Sequence, residues 1–133
     1  MKKLIPLVIV AVSAVCAPGH SPMAAQAPAV VRTVLLQHDL AIPGYSAALV
    51  AVEIPIGGRE GRHTHPGLAV VHVESGAVTL DYEGNPTTTY KAGDSFVVEA
   101  GKIHEGINNG SVPVRLLATF VVEKGKPLTT VIP

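Results

Sequence analysis

This 133-residue chain has one cysteine, no net formal charge and no sustained helical periodicity. Each absence removes a class of protein. Cys16 lies near the N-terminus, so the body of the chain has no disulfide and no thiolate ligand. Stability must then come from the core or from oligomerisation. Ten Lys and Arg face ten Asp and Glu, with no basic cluster. That speaks against nucleic acid and anionic membrane surfaces as partners. No stretch repeats apolar residues every 3.6 positions, which argues against packed amphipathic helices. No Ser-His-Asp arrangement, no phosphate loop and no pair of carboxylates close to the histidines is visible.

The one long apolar run is at the start. Met1-Lys2-Lys3 is a short basic segment, Leu4 to Val15 is apolar, and Pro18 to Ala25 ends in small residues. This is the layout of a secretory signal peptide over residues 1–25. The run is shorter than the roughly 20 residues of a membrane span, and Pro6 interrupts it. Cleavage is expected near Ala25, with Ala29 the second choice. Val15 precedes Cys16, where a lipid-attachment site needs a small residue, so lipidation is not expected. Losing Lys2 and Lys3 leaves eight basic against ten acidic residues, a net of −2. The expected location is periplasmic or secreted, with no membrane attachment after cleavage.

The remainder, residues 30–133, reads as one all-β domain. Short β-rich runs alternate with Gly, Pro, Asn and Asp turns. Strands are expected at Val30–Gln37, Tyr45–Ile54, Gly61–His65, Leu68–Val73, Ala77–Tyr82, Thr87–Lys91, Ser95–Glu99, His104–Asn108 and Val112–Glu123. Eight or nine strands at this spacing suggest a two-sheet jelly roll or barrel. The last long run is apolar on both faces: Val114, Leu116, Ala118, Phe120 and Val122 on one, Leu117 and Val121 on the other. One face goes to the core. The second needs cover, from a partner subunit or from the strand near Val30. A homodimer is the favoured expectation.

His63 and His65 sit two apart in Arg62-His63-Thr64-His65-Pro66-Gly67, and His104 follows about forty residues later. Alternate strand residues share a face, so two imidazoles can aim at one point and a third can join from a neighbouring strand. Such a set suits Fe, Zn, Ni, Mn or Cu, and histidines alone do not choose among these divalent ions. Two readings stand: a metal site, or hydrogen-bonded imidazoles in a barrel that holds no ion.

The glycines around these histidines make the pattern specific. Gly57, His63, His65 and Gly76 form one spaced group; Gly93, Gly101, His104 and Asn108 form another. Together they resemble the two motifs of the cupin superfamily. The flanks, Lys91-Ala92-Gly93-Asp94-Ser95-Phe96 and Val121 to Leu128, resemble small single-domain bacterial cupins. The resemblance implies a cupin-type double-stranded β-helix, with His63, His65 and His104 as metal ligands. Two positions depart from it. Ala69 stands where the motif has a ligating Glu, and Glu99 where it has Pro. By strand parity His72, Glu74 and Glu105 should point away from the three histidines, and Glu99 should lie too far from them. His38 is expected in a surface loop, Asn108 in a turn-stabilising role, and Asp94 holding the start of a strand through side-chain hydrogen bonds. Phe96 and Phe120 should be core residues first and pocket lining second. The functional expectation is an exported domain that holds a divalent metal and binds a small organic ligand. The alternative is a metal-dependent dioxygenase working through the open three-histidine site.

Overall fold

Tyr45–Ile54 alternates as strictly as any segment of the chain, and the structure uses that alternation directly. Ala48, Val50, Val52 and Ile54 are buried, while Ala47, Leu49 and Ala51 face the other way. Complete burial of an aliphatic side chain of this size stabilises by about 1.5–3 kcal/mol, so one face of this strand anchors the core. The computed structural model describes residue 26 and residues 28–133. The signal segment expected at residues 1–25 lies outside the described residues.

Among the described residues ten strands are formed: β1 Val31–Asp39, β2 Tyr45–Ile54, β3 His63–Thr64, β4 Gly67–Ser75, β5 Ala77–Tyr82, β6 Thr88–Lys91, β7 Ser95–Val98, β8 His104–Ile107, β9 Val114–Glu123 and β10 Thr130–Val131. They make two five-stranded sheets. One runs β1-β2-β9-β4-β7 and the other β10-β3-β8-β5-β6, with antiparallel pairing throughout. The apolar inner faces enclose a core of Val50, Val73, Val78, Val98, Val114 and Leu116 among others. This is the all-β jelly roll expected from the turn spacing. No helix among the described residues is long and apolar enough to cross a membrane.

Glycine is required where strands meet tightly. Gly76 is the single residue between β4 and β5, with φ +76°, and a Cβ there would sit 2.8 Å from the Pro113 carbonyl oxygen. Only glycine meets both demands without strain. Asn108 ties the neighbouring loops together. Its Nδ2 donates to the carbonyls of Ile54, Pro55 and Val112, at 3.0, 3.2 and 2.9 Å, and its Oδ1 accepts from the Gly110 N–H. Asp94 Oδ2 accepts from the Lys91 N–H at 2.7 Å, ahead of β7. Both are the turn roles expected of them.

Three differences from the sequence reading are instructive. His38 is not in a loop: it is an exposed residue of β1, paired with Ala47. β1 is held by its ladder to β2 despite being exposed along its whole length. The short strand β10 was not anticipated, since Thr130 and Val131 carry too little pattern for a two-residue pairing with β3. Finally, β1 does not cover the outer face of β9. It lies at the edge of the same sheet, beyond β2. The second apolar face of β9, with Leu117 and Val121 only partly buried, is therefore not covered by that strand.

Candidate metal centre

The three histidines are brought together by one register. His63 in β3 and His104 in β8 are direct antiparallel partners. His65 follows β3, two residues from His63, and shares its face. All three are buried. Ring centroids lie 4.2 Å apart for His63 and His104, and 4.9 Å apart for His65 with each of them. Their ligand nitrogens lie within 4.8 Å of one another.

Each ring is oriented by the backbone. His63 Nδ1–H donates to the Gly61 carbonyl at 2.7 Å, His65 Nδ1–H to Leu128 at 2.7 Å, and His104 Nδ1–H to Lys102 at 3.0 Å. A carbonyl can only accept, so each Nδ1 carries the proton. The Nε2 lone pair of each ring is then the one left for a metal. Burial pushes His65 and His104 down from 6.5 to about 4. The carbonyl hydrogen bonds oppose this shift, and neighbouring imidazoles add to it. Both rings are neutral at neutral pH, as ligation requires.

These rings open into a cavity of about 200 Å³, roughly seven water volumes. Its other walls are mostly aliphatic and aromatic. Ala69 lines it, 1% exposed, between its cross-strand partners Val98 and Phe120. Phe96 and Phe120 line it too, Phe120 edge-on to His65 at 4.8 Å. His72 and Glu74 point outward, as strand parity requires; the bulge in β4 lies beyond His72, between Val73 and Ser75. His72 Nδ1 pairs with Ser95 Oγ at 2.9 Å. Glu99 is exposed and does not line the cavity.

Glu105 does point away from His104, yet it is buried. Arg59 clamps its carboxylate with two hydrogen bonds, 3.0 and 2.7 Å, and the Gly61 N–H adds a third at 3.2 Å. The Arg59 hydrogen bonds hold the Glu105 carboxyl below its usual range and raise Arg59 in turn. This pair braces β8 against the segment leading into β3, on the side opposite the three histidines.

Three polar residues that line the cavity lie outside the sequence expectations: Glu60, Arg32 and Thr129. Glu60 lies three residues before His63, an odd offset that parity would send outward. Gly61, with φ +77°, breaks the alternation and turns Glu60 inward. Its Oε2 accepts from the Gly106 N–H at 3.1 Å and its Oε1 from Arg32 Nη2 at 3.1 Å. Gly106 was the available signal. A Cβ there would meet Glu60 Oε2 at 2.5 Å, so this glycine makes room for the carboxylate. Arg32, on β1, pairs with Val52 of β2, and that register places it on the inner side.

A sequence model of the cupin domain matches residues 50–125, more than half of the chain. The chain belongs to the cupin family. Its resemblances elsewhere are distant. It is 27% identical over 84 residues to an auxin-binding protein, ABP20, of Prunus persica, covering 59% of this chain. The match spans only 39% of that relative's length. A Klebsiella pneumoniae protein with a double-stranded β-helix domain superposes with a TM-score of 0.63 at 21% identity, over 78% of this chain and 84% of its own. A cupin-like protein of Thermotoga maritima gives 0.65 at 16% identity, over 77% and 75%. An oxalate oxidase solved with glycolate gives 0.61 at 20% identity, over 77% of this chain and 54% of its own. At these identities the superpositions speak for the fold.

Proposed function

We propose that this cupin is an exported domain that holds one divalent transition metal through His63, His65 and His104 and binds a small organic ligand beside it. One observation carries the reading. All three imidazoles have Nδ1 fixed to a backbone carbonyl, with ligand nitrogens within 4.8 Å of one another. Buried rings needed only for packing have no reason to share one tautomer and one target. Three neutral ligands leave positions open for water or ligand, and a bound dication there supplies Lewis acidity. Fe, Zn, Ni, Mn and Cu all accept such a set.

Ligand binding is favoured over catalysis by the state of Glu60. It is the one carboxylate among the residues that line the cavity, and both its oxygens already accept hydrogen bonds. A free general base is thus missing among the lining residues described. The dioxygenase alternative draws its support from the open coordination positions, and from the fold shared with an oxidase. Oxygen uptake by the iron-loaded protein in the presence of candidate substrates separates the two.

The outer face of the β1-to-β7 sheet supports a homodimer. Leu36, Leu49, Thr119, Val70 and Val97 form one cross-strand row, and Leu68 lies beside it. Leu36, Leu68, Val70 and Val97 are exposed. A largely apolar row on a sheet face is where a second copy would pack.

The metal reading is tested by elemental analysis of untagged protein. Wild type should carry up to one equivalent of metal and His104→Ala markedly less. Equal content in both would overturn it.

A further inference from the structure

We infer that Arg32 is an anchor for the anionic end of the cavity's ligand, and that the ligand is a small carboxylate with an apolar body. The inference rests on the metal-holding reading above and adds the ligand's chemical class.

Charge sets the ligand's sign. Each of the three rings donates Nδ1–H to a backbone carbonyl and brings no negative charge, and Ala69 supplies no carboxylate where the family motif has one. The single cavity carboxylate, Glu60, is matched by Arg32. A dication held by the three rings would therefore leave about two positive charges without compensation inside an apolar chamber. Charge in such surroundings is tolerated only when paired. An anion from outside is the group the cavity lacks. A cationic ligand would aggravate the imbalance and a neutral one would leave it.

Arg32 is built to receive that anion. Its strand register turns it inward with Val34, on the side of Val50 and Val52. Glu60 holds it through one nitrogen, Nη2, and Glu60 is itself fixed by the Gly106 N–H. A guanidinium has five N–H donors in a planar fork. One bond to Glu60 leaves the rest of the fork, oriented in advance, for a second carboxylate. The Arg32 side chain stays 36% accessible, against 11% for Glu60. It therefore stands where a ligand can reach it, while Glu60 serves as its brace. Val78, Leu80, Phe96 and Leu116 supply the apolar surface for the ligand's body. The cavity's 200 Å³ limits that body to a few carbons.

Calorimetric titration with butanoate tests this, with butanamide as the uncharged probe of equal shape. Zinc-loaded and metal-free forms of the full protein are compared, with metal content measured on every sample. Butanoate should bind wild type, and butanamide at least tenfold more weakly. Arg32→Gln should lose tenfold or more in butanoate affinity, with zinc content unchanged. Arg32→Lys keeps the charge without the fork, so it should fall between the two. Arg115→Gln, which removes an exposed arginine paired with Glu53 on β9, should bind as wild type does. Equal butanoate affinity in wild type and Arg32→Gln would overturn the inference. So would no preference over butanamide, or no butanoate binding by wild type at millimolar concentration. If wild type takes up no zinc, the metal reading fails by itself. The Arg32 inference is then judged by the same wild-type-to-variant ratio in metal-free protein.

Discussion

Replacing Ala69 by glutamate restores the carboxylate that the family motif carries, and the structure sets the size of the effect. Ala69 is 1% exposed and lines the same cavity as the three histidines. A glutamate side chain there extends into the chamber and has room to do so. Without metal, an ionised carboxylate in these surroundings is costly. The protein limits that penalty by protonating the group. Holding a carboxyl of ordinary pKa near 4.3 neutral at pH 7 costs about 4 kcal/mol, at 1.36 kcal/mol per unit. That bounds the destabilisation of the metal-free variant, less whatever Arg32 recovers. For a domain of this length, 4 kcal/mol corresponds to a melting temperature lower by about 15 °C. With metal the sign reverses. The carboxylate becomes a fourth protein ligand, at about 2.0–2.2 Å if the ion is zinc. A hundredfold tighter dissociation constant adds about 2.7 kcal/mol at fixed free metal. The assay is thermal melting by circular dichroism, first in chelator and then across a zinc series. Ala69→Glu should melt below wild type in chelator and gain more on adding zinc. His72→Glu, on the outward face of β4, should show neither effect. An unchanged zinc response in Ala69→Glu, or a larger one in His72→Glu, would refute the placement of Ala69 toward the metal ligands.

Three further outcomes can be measured. His65 and His104 titrate near 4 when folded and near 6.5 when unfolded, so the unfolded chain binds more protons between those values. Metal-free protein should therefore lose stability as pH falls from about 6.5 to about 4, by about 2 kcal/mol per histidine at pH 5. Urea midpoints at pH 7.5 and pH 5 measure this. His104→Leu should flatten the dependence, and equal midpoints for wild type would contradict the burial argument. The mature chain should begin after Ala25, or a few residues later, by intact mass from the native host; a retained Met1 or a lipid-modified Cys16 would count against export. Sedimentation should report a dimer, and Val70→Glu should shift it towards monomer. A wild-type monomer at micromolar concentration would remove the case for a partner on that face.

The sequence alone determined a good deal about this protein. Period-two alternation and turn residues located most strands closely, and β2 and β5 match residue for residue. Those signals are local, so they survive without tertiary information. His63, His65 and His104 were legible because two spaced motifs frame them. The inward Ala69 followed from the motif resemblance, and the outward His72 from parity counted from Ala69 along one uninterrupted strand segment. Tertiary structure decided the rest, wherever the alternation breaks or a contact is long-range. Gly61 at positive φ turned Glu60 inward, against the parity count from His63. A bulge at Leu35 reset the faces of β1, leaving Arg32 and Val34 on its cavity side and Leu36 on its outer side. The carbonyl that orients His65 comes from Leu128, sixty-three residues away. The Arg32–Glu60 contact spans twenty-eight residues, and the depressed pKa of His104 depends on burial by both sheets. None of these is written in a window of neighbouring residues. Each exists because closing the two sheets over one another brings distant groups into a single chamber.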